Sequence, residues 1–363
     1  MRDIALLGST GSIGTNTLEV CRRFGIGVDL LVAGRNASLL NRQIEEFSPS
    51  VVVVADEETA SRIEHPKILV GEKAILDAIE SSDAETVVNS LVGYTGLAPT
   101  LKSLECGKRL ALANKESLVS AGYFIDTSSI TPIDSEHFGL WYLLNGREIS
   151  RLVITASGGA FRDWDIRKMR EAGYGDALNH PNWSMGNKIT IDSATMMNKL
   201  FELLEARWLF DTERVDAYIE RRSIVHALVE FTDGSTTAHM AGVDMKLPIA
   251  HALECPISSP ILPPVNLVES GDIRFEEIDE KRYPVWELKE HLLSNPRLGT
   301  VLNAANEAAM GIFERGECDF GGMNDIVIRT YDRFSDTVPE TITDVFEIDK
   351  TVREYVSTEY GRS

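Results

Sequence analysis

Apolar and polar positions alternate along this chain in two ways. Ile4 to Leu7, Val28 to Val32, Val51 to Val54, Thr86 to Asn89 and Arg109 to Ala113 predict short buried strands, with helical segments between them. That alternation implies right-handed crossovers and a parallel sheet covered on both faces, a doubly wound, Rossmann-like arrangement whose ligands bind beyond the strand C-termini. From about Asp134 the pattern changes: Leu152 to Thr155 and Val225 to Phe231 predict strands mixed with a long helix after Ser193, a central α+β domain. Pro256, Pro260, Pro263, Pro264 and Pro284 then mark a stretch with little periodicity, read as a linker. Beyond it, Leu298 to Arg315, stopped by Gly316, predicts one helix of a small terminal helical domain. The expected class is therefore α/β, with an N-terminal domain over 1–133, a central α+β domain over 134–255, a linker over 256–284 and a helical domain over 285–363.

One helix inverts the usual pattern. Thr195, Asn198, Lys199 and Glu202 recur at i, i+3, i+4 and i+7 as a polar stripe among Met196, Met197, Leu200, Phe201, Leu203, Leu204 and Trp208. A largely buried helix would thus present an amide, an ammonium and a carboxylate to a ligand; a solvated stripe with a weak Lys199 to Glu202 pair is the alternative. Just upstream, Asn179-His180-Pro181-Asn182-Trp183-Ser184-Met185-Gly186 combines a titratable ring, an amphipathic aromatic and a thioether, as a lid over a small polar ligand would.

Gly8-Ser9-Thr10-Gly11-Ser12-Ile13-Gly14 follows the first strand and opens a helix. Glycines there let the backbone approach a pyrophosphate, whose charge meets free N–H groups at the helix N-terminus. The spacing is G-x-x-G-x-x-G, so the loop alone does not exclude a structural turn. About twenty residues on, where NAD-binding chains place an acid, stands Ala33-Gly34-Arg35-Asn36. An arginine without a nearby carboxylate pairs with a 2′-phosphate and favours NADPH over NADH; an exposed turn arginine is the other reading.

Pro132-Ile133-Asp134-Ser135-Glu136-His137 sets two carboxylates two residues apart, and Glu202 offers a third. Oxygen-only ligation suits Mg²⁺ or Mn²⁺ and not zinc, although Asp-Ser-Glu is also a common helix cap followed by a first-turn acid. Asn114-Lys115-Glu116-Ser117 closes the fifth predicted strand, where a lysine orients a substrate oxygen. Ser157-Gly158-Gly159-Ala160-Phe161 reads as an anion nest and hinge, or as a plain turn.

Composition narrows the classes. A net charge of -20 over 363 residues argues against a general nucleic-acid surface but not against a local anion pocket of Arg35, Lys115 and Lys199. No apolar run reaches bilayer length, and Met1-Arg2-Asp3 leads directly into the first strand with no secretory pattern, so a cytoplasmic protein is expected. Cys21, Cys106, Cys255 and Cys318 lack metal or disulfide spacing and read as buried thiols.

Taken in order, the glycine loop, Ala113-Asn114-Lys115-Glu116-Ser117, Asp134-Ser135-Glu136-His137, Ser157-Gly158-Gly159, His180 to Gly186 and Asp192-Ser193-Ala194-Thr195-Met196-Met197-Asn198-Lys199 strongly resemble the 1-deoxy-D-xylulose 5-phosphate reductoisomerase family. The resemblance implies isomerisation of that substrate by retro-aldol cleavage and re-addition, then reduction by NADPH to 2-C-methyl-D-erythritol 4-phosphate for isoprenoid synthesis. It implies that Asp134, Glu136 and Glu202 hold Mg²⁺ or Mn²⁺, and that Lys115, Glu136, His180 and Glu202 are catalytic. Ser157, Ser193, Asn198 and Lys199 would bind the phosphate, with Lys115, Ser135, Glu136, His180, Trp183 and Glu202 on the rest of the substrate. Thr10, Gly11, Ser12, Ile13, Gly34, Arg35, Asn36, Asn114, Glu116 and Gly186 would contact the cofactor. A homodimer is implied in the same way. The chain departs from the family pattern in a short stretch from Glu136 to Ser157, which trims a peripheral loop, and in Val243-Asp244-Met245-Lys246 and at Ala160, which put lid rigidity in question. An NADPH-dependent dehydrogenase of another phosphorylated sugar or aldehyde, and a silent dinucleotide sensor, are the competing functions.

Overall fold

The structure, a computed structural model, describes residues 3–361. Met1 and Arg2, which head the stretch read as lacking a leader, lie outside the described residues. The chain divides into two compact units. One comprises Met1–Asn114, Asp126–Phe138 and Asp244–Pro263; the other comprises Lys115–Ile125, Gly139–Val243 and Pro264–Ser363.

The first unit is built on a seven-stranded parallel sheet. Its strands are β1 (Ile4–Leu7), β2 (Val28–Val32), β3 (Val51–Val54), β4 (Ile68–Val70), β5 (Thr86–Asn89), β6 (Arg109–Leu112) and β7 (Ile130–Pro132), in spatial order β4-β3-β2-β1-β5-β6-β7. The five strands expected from apolar runs are all present. β4 and β7, three residues each, were too short to stand out by periodicity. β7 is an edge strand, which is where a strand tolerates Pro132. The order reverses between β1 and β5, so the crevice beyond their C-termini is the topological switch point of the sheet.

The second unit holds a four-stranded sheet of β8 (Ile149–Ala156), β9 (Val215–Ile219), β10 (Val225–Phe231) and β11 (Thr236–Met240), ordered β11-β10-β8-β9. β10 is antiparallel to β8 and β11, while β8 and β9 are parallel. The Met197–Phe210 helix is buried along its first ten residues, and Leu200, Phe201 and Leu204 share one core with Val153's neighbours Leu152 and Ile154 and with Leu302, Phe313 and Val352 of the terminal helices.

That shared core changes the expected domain organisation. The C-terminal helices bury their apolar faces on the central α+β layer, so residues after 285 belong to the same unit as 139–243. The 256–284 segment is not a bare linker either. It carries a short helix, Leu267–Ser270, an isolated bridge from Glu276 to Ile219 and the buried Ile278 and Tyr283. Asp244–Pro263 belongs to the sheet unit because Lys246–Ala252 lies on the Ser12–Phe24 helix, with Lys246 Nζ 3.1 Å from Glu19. All four cysteines are free, but only Cys21 and Cys255 are buried; burial pushes the Cys21 thiol up to about 12.

Candidate active site

In the first unit the glycine loop sits at the switch point. Gly8 has φ 87°, and a Cβ there would lie 2.6 Å from the Ser90 carbonyl oxygen just after β5. A Cβ on Gly14 would lie 2.2 Å from the Gly8 oxygen, so the Ser12–Phe24 helix meets its own turn only without a side chain there. Gly11 caps that helix in an extended conformation, and no side chain takes the cap's role. The first-turn N–H groups of a thirteen-residue helix are thereby directed at whatever occupies the loop. Gln43 Nε2 holds the Ser9 carbonyl from behind at 2.9 Å, while Gly11 and Ser12 remain exposed.

Gly34, Arg35 and Asn36 follow β2 on the exposed side, and Asn36 Oδ1 caps the next helix by accepting from Leu39 N. The expectation that Arg35 lacks a nearby carboxylate is not met. Its Nε donates to Asp56 Oδ2 at 2.8 Å, because β3 ends beside β2 and delivers Asp56 there as a helix cap. Arg35, with two bonds from Thr59, holds the Asp56 carboxyl well below the usual range. The Arg35 side chain is nevertheless 82% exposed, so the pairing orients the guanidinium without burying it. Asn114 donates its amide hydrogens to the Leu91 and Gly93 carbonyls at 2.9 and 2.8 Å, fixing the turn after β5.

Asp134 and Glu136 follow β7 at the start of the Ser135–Leu143 helix. Asp134 and Ser135 are buried, and Ser135 Oγ donates to Glu136 Oε2 at 2.6 Å, which steadies that carboxylate. Both the cap-like position and a pair of acids anticipated from sequence are therefore present.

In the second unit the polar stripe is internal. Lys115, Asn198, Lys199 and Glu202 are only 5%, 8%, 4% and 2% exposed, which rules out a solvated face. Lys115 Nζ donates to Asn198 Oδ1 and to Glu202 Oε1, each at 2.8 Å, and Asn198 Nδ2 donates to Glu202 Oε1 at 2.5 Å. Lys199 pairs with Glu202 Oε2 and donates to the Thr155 carbonyl at 2.6 Å. One carboxylate thus lies between two ammonium groups in a desolvated cluster whose lysine and amide donors suit an anion.

The helix carrying this cluster is not continuous with the one before it. Met196 is left-handed at φ 69° and separates Asn187–Thr195 from Met197–Phe210. Thr195 therefore leaves the stripe; its Oγ1 accepts from Met197 N at 3.1 Å instead. The break places Asn198 and Lys199 in the first turn of a new helix, whose positive end adds to the cluster. Gly158 and Gly159, at φ 91° and 68°, let the Ser157 turn run against this point: a Cβ on Gly159 would lie 2.5 Å from the Ser193 carbonyl oxygen. Ser157 and Ser193 are both partly exposed beside this contact.

His180 closes the group. Its Nδ1 accepts from Asn182 N and Trp183 N at 3.2 and 2.9 Å, so the proton resides on Nε2 and is donated to Ser157 Oγ at 2.9 Å. Burial, then the charges of Arg162 and Lys199, push His180 down to about 4. The 180–186 loop is further tied by Asn182 Nδ2, which donates to the Arg221 carbonyl and Ser223 Oγ at 2.8 Å, and Trp183 meets His226 edge-on at 6.2 Å. Because the unfolded chain binds this proton near the ordinary value of 6.5 and the folded chain only near 4, stability is expected to fall as pH drops through that window and to level off below it. Urea midpoints at pH 7, 5.5 and 4.5 check this: the advantage of the native protein over His180→Gln should shrink with each step, and a constant difference would refute it.

Several residues here escaped sequence reasoning. Arg162 Nη1 holds the Ser157 and Arg221 carbonyls at 3.0 and 2.7 Å, and Glu205, one turn beyond Glu202, is as buried as Glu202. Glu116, expected to contact the cofactor, has its carboxylate 2.7 Å from Lys188 within the second unit. A lone arginine or lysine outside a motif gives no signal in one sequence. Glu205 did have one, its i+3 spacing from Glu202.

Comparison with known proteins points to one family. A family model for 1-deoxy-D-xylulose 5-phosphate reductoisomerase matches residues 4–122, one for its C-terminal domain matches 130–210, and a further DXP reductoisomerase C-terminal domain matches 240–355. The 1-deoxy-D-xylulose 5-phosphate reductoisomerase of Nautilia profundicola is 54% identical, aligned over 98% of this chain and 100% of its own length. That of Wolinella succinogenes is 52% identical over 96% of this chain and 98% of its own. A crystal structure of DOX-P reductoisomerase in complex with NADPH, fosmidomycin and magnesium superposes with a TM-score of 0.93 at 32% identity, covering 99% of this chain and 98% of that one. The enzyme from Zymomonas mobilis in complex with NADPH superposes at 0.86 and 32% identity, covering 98% of each chain. With the motifs in their order, full-length relatives at half identity and a matching fold, the chain belongs to the 1-deoxy-D-xylulose 5-phosphate reductoisomerase family.

Proposed function

We propose that this chain converts 1-deoxy-D-xylulose 5-phosphate into 2-C-methyl-D-erythritol 4-phosphate for isoprenoid synthesis, using NADPH and Mg²⁺ or Mn²⁺. The observation that carries the reading is the buried Lys115, Asn198, Lys199 and Glu202 cluster, which has the charge and the donors for a phosphorylated polyol. In this reading Lys199, Asn198, Ser157 and Ser193 grip the phosphate through charge-assisted hydrogen bonds, and His180, neutral at physiological pH, donates its Nε2 proton. Phosphate binding remote from the reacting carbons supplies energy that orients them. Lys115 and Ser135 direct substrate oxygens, and Trp183 on the 180–186 loop excludes water from the aldehyde before it is reduced.

Asp134, Glu136 and Glu202 are the proposed metal ligands. The donor chemistry fits a hard ion, being carboxylate oxygen throughout, with Glu136 steadied by Ser135. Once bound, a divalent ion supplies Lewis-acid stabilisation of charge on substrate oxygens. NADPH supplies the hydride. The glycine loop fits its pyrophosphate, since each Cβ that would fill the turn is absent, and Gly34, Arg35 and Asn36 lie at the neighbouring strand end for the ribose phosphate. Thr10, Ile13, Asn114, Glu116 and Gly186 complete the proposed cofactor contacts, and a cytoplasmic homodimer is the proposed working state. Among the described residues no helix is long and apolar enough to cross a membrane.

Anaerobic mixing of the protein with Mn²⁺, NADPH and 1-deoxy-D-xylulose 5-phosphate tests the whole reading. Loss of nicotinamide absorbance is expected, with the branched product identified by NMR and turnover abolished by excess EDTA. NADPH consumption without skeletal rearrangement, or full activity in EDTA, would overturn it.

A further inference from the structure

The first turn of the Asn187–Thr195 helix carries a lysine that the proposed chemistry does not use. Lys188 Nζ lies 2.7 Å from Glu116 Oε1, 2.8 Å from Asp192 Oδ2 and 4.0 Å from Glu307 Oε1, with its side chain only 12% exposed and stacked over Phe201. Glu307 also receives Arg353 Nη2 at 2.8 Å, and Arg353 holds Asp349 through two bonds of 2.7 and 2.8 Å. The other oxygen of Asp192 accepts from Asn306 Nδ2 at 2.7 Å. One ammonium group therefore links the Lys115–Ala121, Asn187–Thr195 and Gly299–Glu314 helices directly, and the Ile342–Tyr360 helix through Glu307.

Two of its attachments border the site described above. Glu116 is the residue after Lys115, whose Nζ reaches Asn198 and Glu202. Lys188 stands two residues past Gly186, the end of the 180–186 loop, and the Gly186 carbonyl is held by both Thr190 N and Thr190 Oγ1 at 3.1 and 2.9 Å. Burial opposes the charge on Glu116, yet Lys188 keeps its carboxyl below the ordinary range, so the pair is ionised and directional. Lys115–Ala121 is buried along its whole length, so its first turn cannot shift without moving the Lys115 ammonium.

We propose that Lys188 is a positioning residue: through Glu116 it holds the turn bearing Lys115, and through its own helix it anchors the C-terminal end of the 180–186 loop, so that both keep a set place in the second unit. The catalytic consequence rests on the reductoisomerase reading; the structural tie does not. A purely structural role, neutralising buried acids, makes a different prediction. In Lys188→Met the repelling acids Glu116 and Asp192 lose the ammonium that lies within 2.8 Å of both. Adding Asp192→Asn removes that repulsion without restoring the tie to Glu116.

The test compares Lys188→Met and Lys188→Met/Asp192→Asn with the native protein by hydrogen–deuterium exchange, melting temperature and steady-state kinetics on 1-deoxy-D-xylulose 5-phosphate. Exchange at 114–118 and 180–190 should quicken at least ~10-fold in both variants, with kcat down by ~10-fold or more and KM within about threefold, a tenfold rate loss corresponding to about 1.4 kcal/mol of barrier. The double variant should regain melting temperature but neither kcat nor protection at 114–118. Recovery of all three, or unchanged exchange at 114–118, would overturn the proposal. If Lys188→Met does not fold, the double variant alone decides between these outcomes. If the native protein fails to turn over the substrate, the functional reading falls, and the exchange comparison still judges the tie.

Discussion

Glu202→Gln is expected to lose at least ~100-fold in kcat/KM, about 2.7 kcal/mol of transition-state stabilisation, while NADPH affinity stays within about threefold of the native value. The substitution keeps the shape of the side chain and removes its charge. In the folded chain that charge lies between Lys115 and Lys199 and accepts from Asn198 at 2.5 Å. Without it two ammonium groups face each other in a desolvated pocket, and breaking a buried pair in this way typically costs about 3–5 kcal/mol. A metal-ligand role and an ion-pair role both predict lost turnover, so the choice between them needs a second variant. Glu202→Asp retains the charge but withdraws it by one methylene. If charge balance alone matters, the aspartate variant should recover stability and most activity. If the carboxylate must reach an ion at a set distance, it should recover melting temperature while turnover stays depressed and the Mn²⁺ concentration for half-maximal activity rises. Turnover of Glu202→Gln within a few-fold of native would end the assignment. Unaltered NADPH binding is expected because the glycine loop belongs to the other unit.

Gly14→Ala should be the most damaging single-methyl change in the first unit, weakening NADPH at least ~10-fold and destabilising the fold by about 1–3 kcal/mol, the usual cost of overpacking. The added Cβ would sit 2.2 Å from the Gly8 oxygen and 2.6 Å from Ser9 backbone atoms, none of which is a flexible side-chain end. Relief requires the Ser12–Phe24 helix to move off its turn, which misdirects the first-turn N–H groups that would meet the pyrophosphate. Gly11→Ala makes the informative contrast. Gly11 has φ -78° and ψ 175°, a conformation open to any residue, and its Cβ would meet only the Gly8 oxygen at 3.3 Å. Its melting temperature should hardly change, so any lost affinity there reports the approach of the ligand and not the fold. Isothermal titration with NADPH alongside thermal melts separates the two. Equal, small effects at both positions would argue that the loop does not cradle the cofactor.

The elements legible in the sequence were those whose signal is local. β1, β2, β3, β5, β6, β8 and β10 follow from largely apolar runs, because a strand covered on both faces buries most of its positions. The stretches that escaped notice were β4 and β7, which are brief, and β9 and β11, which are only partly buried and therefore mixed in polarity. The glycine loop and the polar stripe of Asn198, Lys199 and Glu202 were also visible, since an amide, a lysine and an acid inside an apolar helix violate its own pattern. The break at Met196 was not, because nothing about a methionine signals φ 69°; surrounding contacts impose it.

Chain order and local composition by themselves determined the class of fold, the glycine loop and the family, because each depends on residues near one another in sequence. Tertiary structure alone decided that Arg35 faces Asp56, that Glu202 lies between two lysines, that Lys188 gathers acids from separate helices, and that the terminal helices share the central core. Each of those facts depends on partners from separate elements, such as Arg35 and Asp56 or Lys115 and Glu202, and for the buried Lys115 and Glu202 the pairing strengthens because folding removes water from both.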